Sequence, residues 1–321
     1  MYQLACLSRK RWVLAAALVM AFGSAARADW GTWTPDRVYA GYDYLPEAGL
    51  AHPQTGTFED QVRWQESTFS AGLSLPTLTA GDGWSFGQGF SYRYFSFDFD
   101  QWDPSVLATP PDALHAIRYQ FTARKKLENR QSIDLFLSPG LDSDLHNVQW
   151  DHANVLGGLK GNIPLGHSLF GIGLAYTMTF GRPRLLPVLT WQWSDQRHWR
   201  ANVLLPALAE IWYRFSPAVE SGLCVGFSGG DFRIGEAGPY QDENVRWSTG
   251  KLGPEVRVTL AKDWSLKVLG GWAFHRQYGV YDGTNEIQDL GSNDSGFIQT
   301  SVAYRFGPGK NEPLTGWGMF Q

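Results

Sequence analysis

Arg93, Arg118, Arg124, Arg200, Glu210, Arg214, Lys251, Glu255 and Arg257 share one feature that could do chemistry. Each alternates along the chain with apolar neighbours, and Lys160, Glu220 and Lys267 follow the same rule. Alternating residues of a strand point to opposite faces, so these side chains converge on a single face. A water-filled interior lined this way passes small polar solutes, with selectivity set by the excess of basic groups. A closed interior lined this way interlocks as ion pairs instead. Gly222, Gly226, Gly253 and Gly271 fall on the same face and tilt the reading towards open space and a channel. On that reading Arg118→Glu changes ion selectivity.

The elements that position these residues are long strands. In Ser168–Phe180, Phe170, Ile172, Leu174, Tyr176, Met178 and Phe180 form one bulky row, opposite Leu169, Gly171, Gly173, Ala175, Thr177 and Thr179. Ile117, Tyr119 and Phe121 likewise oppose Arg118, Gln120 and Thr122, and Ile211, Tyr213 and Phe215 oppose Glu210, Trp212 and Arg214. A charge near a bilayer midplane costs a few kcal/mol on the lipid side, so the charged face must be internal. The pattern predicts an all-β chain, a transmembrane antiparallel β-barrel.

Strands are expected near 37–45, 58–75, 84–99, 113–126, 132–137, 149–163 and 168–181. Seven more follow near 185–194, 199–205, 209–215, 219–228, 249–261, 264–277 and 296–306. Fourteen is an even count, as single-chain bacterial barrels require, and twelve is the alternative. Connectors near 128–130, 164–167, 195–197, 216–217 and 262–263 are short and read as periplasmic turns. Those at 100–112, 229–248 and 278–295 read as outer loops, although the outer connections near 182–184 and Pro206 are short. Pro187 and Pro254 fall inside strands and predict bulges or edge positions. A soluble β-sandwich is the competing fold, and the Trp-rich rows argue against it.

Arg9, Lys10 and Arg11, an apolar stretch from Val13 to Phe22, and Ala26-Arg27-Ala28 before Asp29 form a secretory signal peptide over residues 1–28. The barrel is then expected over 29–306, with 307–321 as a periplasmic extension. Removing the signal's four basic residues leaves 23 Lys and Arg against 31 Asp and Glu, a formal charge of −8. That balance argues against a nucleic-acid partner. Only Cys224 survives cleavage, so no intrachain disulfide can form. The 15 Trp, 13 Tyr and 19 Phe suit the membrane interface.

Two other sets could carry chemistry. Asp98, Asp100 and Asp103, and Asp142, Asp144 and Asp151 with His152, offer oxygen-rich loops for calcium or for cations shared with lipopolysaccharide. Neither has the glycine and distal glutamate of a calcium loop, so a solvated polar loop is the plainer reading. His167 and Ser168 are adjacent, but they fall in a predicted periplasmic turn. None of the seven histidines has the His-x-Ser-Asn context that resembles the signature of lipid-hydrolysing barrels. No catalytic residue, metal or cofactor is assigned.

Leu186–Trp193, Trp199–Pro206 and Ile211–Phe215 together resemble a family of predicted bacterial outer-membrane β-barrels of unknown function. The final strand, Val302-Ala303-Tyr304-Arg305-Phe306, is similar to the closing strand of such proteins, whose terminal aromatic is read by the barrel-insertion machinery. Here residues 307–321 follow it, a departure from that pattern. The resemblance implies the bacterial outer membrane, with its lipids, lipopolysaccharide and insertion machinery as partners. It transfers no activity. Passage of small polar solutes is the expected function. A non-conducting structural or surface-interaction barrel is the first alternative and a lipid-acting enzyme the second.

Overall fold

Alternation over long segments produces strands whose apolar face needs lipid and whose polar face needs shelter, and closing the sheet satisfies both. The computed structural model describes residues 37–49, 62–102 and 108–306. Its strands are β1 (Arg37–Gly49), β2 (Arg63–Ser74), β3 (Leu78–Ala80), β4 (Trp84–Asp100), β5 (Ala113–Lys126), β6 (Ser132–Ser143), β7 (Ala153–Leu165) and β8 (Ser168–Thr177). They continue as β9 (Arg184–Ser194), β10 (Trp199–Leu205), β11 (Leu208–Ser216), β12 (Val219–Arg233), β13 (Asn244–Ala261), β14 (Trp264–Asp282), β15 (Asn285–Asp289) and β16 (Ser295–Arg305). β3 and β15 are short additions to β4 and β14. The other strands form a closed antiparallel barrel of 14, sealed where β1 pairs with β16 from Arg37↔Arg305 to Tyr44↔Ile298.

The outer face is an apolar belt. Ile172, Leu185 and Phe215 are 67%, 66% and 65% exposed, and Phe90, Leu159, Leu189, Leu223 and Ile298 continue the belt around the wall. So much exposed apolar surface on one band is a lipid-facing surface. Near the short turns it is edged by aromatic pairs: Trp84 stacks on Phe86 at 5.8 Å, Trp199 meets Tyr213 at 4.9 Å, and Trp264 meets Tyr304 at 5.0 Å.

The wall is uneven. β10 and β11 have 7 and 9 residues, while β13 and β14 have 18 and 19. At the long-loop end, β12 bridges directly to β6 in parallel, through Arg233↔Ser143. This contact short-circuits the ring. Above the belt, β12, β13, β14, β16, β1, β2, β4, β5 and β6 make a narrower crown that leaves out β7 to β11. On the crown's outer side Arg246 Nε lies 3.2 Å from Asp231, and Arg233 Nη1 donates to Asn244 at 2.8 Å. Polar pairs there mark the upper limit of the lipid-facing zone.

The strand count agrees with the periodicity, and several limits move. β8 stops at Thr177 because the chain turns: Thr177 Oγ1 accepts from Thr179 N at 3.2 Å, and Gly181 N donates to Met178 O at 2.9 Å. Met178 is consequently buried, and Phe180 packs on Phe227 at 5.4 Å, so neither extends the lipid-facing row of β8. The strand expected from residue 149 begins at Ala153, after a 3-10 turn over Trp150–His152. Residues 58–61 of the expected second strand, the signal peptide and the segment 307–321 lie outside the described residues. Pro254 coincides with a lapse in the β13–β14 ladder, between Leu252↔Trp272 and Glu255↔Leu269. A Cβ on Gly253 there would sit 2.0 Å from Gly270 O, so the backbones approach too closely for any side chain. Pro187 sits instead in unbroken register with Leu174.

Candidate functional site

The strand registers place Arg93, Arg118, Arg124, Arg200, Glu210, Arg214, Lys251, Glu255 and Arg257 on the inner face. Rows such as Glu220↔Arg257, Gly222↔Glu255 and Gly226↔Lys251 run across neighbouring strands, and Arg257↔Lys267 continues the first of them. The structure brings them together in four groups. Arg118 Nη2 binds Asp142, and its Nη1 donates to Asn154 at 3.0 Å. Arg124 holds Asp134 through two bonds of 2.7 and 2.9 Å, with Lys160 Nζ 3.8 Å away. Lys251 binds Asp43 across the barrel seam, and Lys267 Nζ lies 3.0 Å from the fully buried Glu255. Finally, Arg200 and Arg214 both bind Glu220, at 2.6 and 2.9 Å, with Arg257 at 3.9 Å. Arg93 lies over the Phe95 ring at 5.2 Å.

Above the charges the interior is apolar. Trp64, Phe95, Phe97, Leu114, Phe232, Val245, Trp247 and Tyr278 are each at most 2% exposed. They meet across the lumen rather than along the wall. Phe95 on β4 touches Trp247 on β13 at 5.0 Å and Phe232 on β12 at 5.3 Å, and Phe97 meets Tyr278 on β14 at 4.7 Å. Trp247 Nε1 donates to Glu66 on β2 at 2.8 Å, and the Arg276 guanidinium lies 4.5 Å from the Trp64 ring centre. A second buried set, including Leu45, Phe136, Ala175, Val188, Leu204, Leu208, Leu269 and Phe297, draws on both sides of the barrel. The first set packs the crown as a protein core is packed, and the second fills the interior beside β8 to β11.

Three of the inner-face glycines, Gly222, Gly253 and Gly271, do not open space, while a Cβ on Gly226 would meet Leu208 Cδ1 at 3.3 Å. A Cβ at Gly222 would lie 2.3 Å from Ile211 O, and one at Gly271 would lie 2.2 Å from Leu252 O. Each spot is already filled by neighbouring backbone.

Room remains at the short-turn end. Two adjoining cavities of about 450 and 470 Å³ share Arg197, His198, Arg200, Arg214, Glu220 and Arg257. The first extends to His167, Glu210 and Trp212, and the second to Lys262, Asp263 and Arg305. Together they form a vestibule whose wall includes the fourth charged group.

The acidic loop clusters resolve differently from a calcium loop. Asp142 faces the lumen and is committed to Arg118, because β6 runs on to Ser143. Asp98 accepts from Gln65 Nε2 at 2.9 Å, and Asp103 lies outside the described residues. Asp144 accepts the backbone N–H groups of His146, Gly235 and Glu236 at 2.9–3.1 Å. Burial pushes its carboxyl up, but those N–H groups and Ser143 Oγ outweigh burial and hold it below the usual carboxylate range. Asp144, His146 and Glu236 come near one another, as do Glu210, Cys224 and Glu255. Asp144 already has its donors, and Glu255 already has Lys267 and Arg257.

Sequence reasoning missed Ser143, whose Oγ lies 2.7 Å from His152 Nδ1. The pair sits at the long-loop rim, where both side chains are buried at the β6–β12 junction. The apolar lipid-facing groove between Ile163, Phe170, Ile172, Leu189, Trp191 and Leu205 lies on other strands. His167 and Ser168 are at the opposite end, where Ser168 Oγ accepts from Trp191 Nε1 at 3.2 Å. The Ser143–Asp144–His152 set reads as a clasp holding the crown shut. Asp144→Asn should lower amide exchange protection at Gly235 and Glu236 by about 10–100-fold at neutral pH, because bonds to a charged acceptor are the stronger ones. A carboxyl with a lowered folded pKa stabilises fully above its ordinary range near 4, and that stability is lost as pH falls through the folded value. The gap between parent and variant should therefore close in acid.

A family model described as Domain of unknown function (DUF6268) matches residues 40–295, most of the barrel. The chain belongs to the DUF6268 family. None of the curated proteins matches this DUF6268 chain. Among solved structures it is similar to the COG4313 outer membrane channel from Pseudomonas putida F1, at 10% identity and a TM-score of 0.44, covering 88% of this chain and 100% of that one. It is also similar to the outer membrane phospholipase (OMPLA) of Salmonella typhi, at 10% identity and 0.36, covering 87% and 94%. A third is the translocator domain of autotransporter NalP from Neisseria meningitidis, at 12% identity and 0.36, covering 94% and 97%.

Proposed function

We propose that this DUF6268 chain is an integral barrel of the bacterial outer membrane whose lumen is closed at the crown, a non-conducting barrel that works through its two ends. The observation that carries this reading is the aromatic packing across the lumen, Phe95 against Trp247 and Phe97 against Tyr278. Water-sized solutes need a continuous polar path, and buried rings in contact from opposite walls leave none there. Below them the carboxylates of Asp134, Asp142, Glu220 and Glu255 all hold ion pairs. The short turns and both described chain ends lie at one end of the barrel, which faces the periplasm in this reading. The crown then faces outward, among lipopolysaccharide, and the barrel-insertion machinery places the chain. No catalytic step is assigned to it.

A second reading, gated passage of small polar solutes, is favoured by one observation. The vestibule is lined by charged side chains and is wide enough for a small solute, as the first half of a conduit would be. Liposome swelling separates the two. Vesicles carrying the folded protein should swell in isotonic arabinose no faster than empty vesicles. Swelling that scales with protein content would favour passage.

A further inference from the structure

We infer that the vestibule is a binding site for small phosphate-bearing anions. The inference rests on the proposed orientation for the compartment that supplies the anion, and on the cavity geometry alone for its chemistry. Arg197, Arg200, Arg214, Arg257, Arg305 and Lys262 line the two cavities, against only Glu210, Glu220 and Asp263. A chain with more acidic than basic residues thus gathers a local excess of positive charge in one concave place. The guanidiniums are also held in position. Arg200 and Arg257 lie 4.9 and 4.6 Å from the centre of the Trp212 ring, and both reach towards Glu220. Arg200, Arg214 and Arg257 come from β10, β11 and β13, so they approach one point from three directions. A single carboxylate cannot occupy all their donors, and the buried Arg200 Nε has no hydrogen-bond partner among the described residues.

A tetrahedral oxyanion suits this arrangement. Planar guanidinium forks bind phosphate oxygens in pairs, and a dianion neutralises more of the excess than Glu220 does alone. Glu220 then has two effects. It organises the arginines, and it repels the anion they would bind. Its removal should strengthen binding, an outcome that a purely structural ion-pair network does not produce.

The test is calorimetric titration of the full folded chain in non-ionic detergent with inorganic phosphate at low salt. Saturable binding that equal chloride does not reproduce is expected. Glu220→Gln should tighten binding by about tenfold, and Arg257→Gln should weaken it by about tenfold, the scale of one charge-assisted contact. Arg197→Gln, in an exposed turn, gives a weaker loss and keeps the test valid if a lumen variant fails to fold. No saturable heat in the parent, or Glu220→Gln binding no tighter than the parent, overturns the proposal. Repeating the titration in phosphatidylcholine and phosphatidylglycerol nanodiscs separates the sources. Equal affinity in both marks a soluble anion, and competition by phosphatidylglycerol marks a lipid headgroup. Conductance through the barrel would contradict the closed lumen while leaving this titration unaffected, so the two readings fail separately.

Discussion

Asp142→Ala should destabilise the barrel by about 3–5 kcal/mol, because it leaves a buried guanidinium without its carboxylate. Arg118 is 3% exposed and Asp142 is 2% exposed, and Asn154 Nδ2 completes the group by donating to Asp142 at 2.8 Å. Arg93 faces the same interior two strand positions from Phe95, which adds a second cation to the local balance. Removing the acid therefore leaves positive charge in a dry place, where Asn154 Oδ1 and the Ser138 carbonyl are the further acceptors for Arg118 among the described residues. Asp142→Asn keeps an acceptor and should cost less. Replacing both partners by apolar residues of similar volume, Arg118→Met with Asp142→Leu, should cost less than Asp142→Ala. Urea unfolding in lipid vesicles measures all four proteins, and a loss below about 1 kcal/mol for Asp142→Ala would mean that water reaches this part of the lumen. Arg118→Glu would set two carboxylates against each other here, so its first effect is on folding rather than on ion selectivity.

The second large effect is expected at Trp64→Ala. Trp64 is fully buried, with Phe97 at 5.8 Å, Tyr278 at 6.0 Å and the Arg276 guanidinium over its face. Deleting a large buried aromatic costs about 3–5 kcal/mol, from lost transfer energy and from the cavity left behind. The cost should fall on the crown, because the lipid-facing belt and the ladders below it do not depend on this ring. Proteolysis of the outer loops should accelerate while the membrane-embedded fragment stays resistant. Uniform loss of resistance along the chain would show that crown and belt unfold as one unit. Trp64→Phe retains most of the buried area and should recover most of the stability.

Much of this was readable from alternation. Ile117 and Tyr119 against Arg118 and Gln120 fix which side of β5 meets lipid, since a one-residue slip would put charge into the belt. The same parity assigns the charged candidates to the inner face. It also carries a signal that aromatic content alone hides. Phe95 and Phe97 share the parity of Arg93, and Trp64 shares that of Glu66, so these aromatics point inward with the charges. Read as aromatic content alone, they looked like interface anchors. What alternation cannot carry is contact across the lumen. The bridge from Ser143 to Arg233 joins residues 90 positions apart on strands that are not neighbours in the ring. Asp142 looked like a loop residue because β6 continues past Ser138-Pro139-Gly140, a sequence that reads as a turn. The vestibule was out of reach for a similar reason. Arg197 comes from the β9–β10 turn, Arg257 and Lys262 from β13 and the turn after it, and Arg305 from the end of β16, and barrel closure gathers them.

The most direct test is single-channel recording of the folded, membrane-inserted protein in a planar bilayer. A lumen packed by Phe95, Trp247, Phe97 and Tyr278 predicts a silent bilayer at moderate voltage, with insertion verified independently by protease protection. Discrete, reproducible conductance steps from the parent protein would contradict a closed lumen and return the interior charges to a pore.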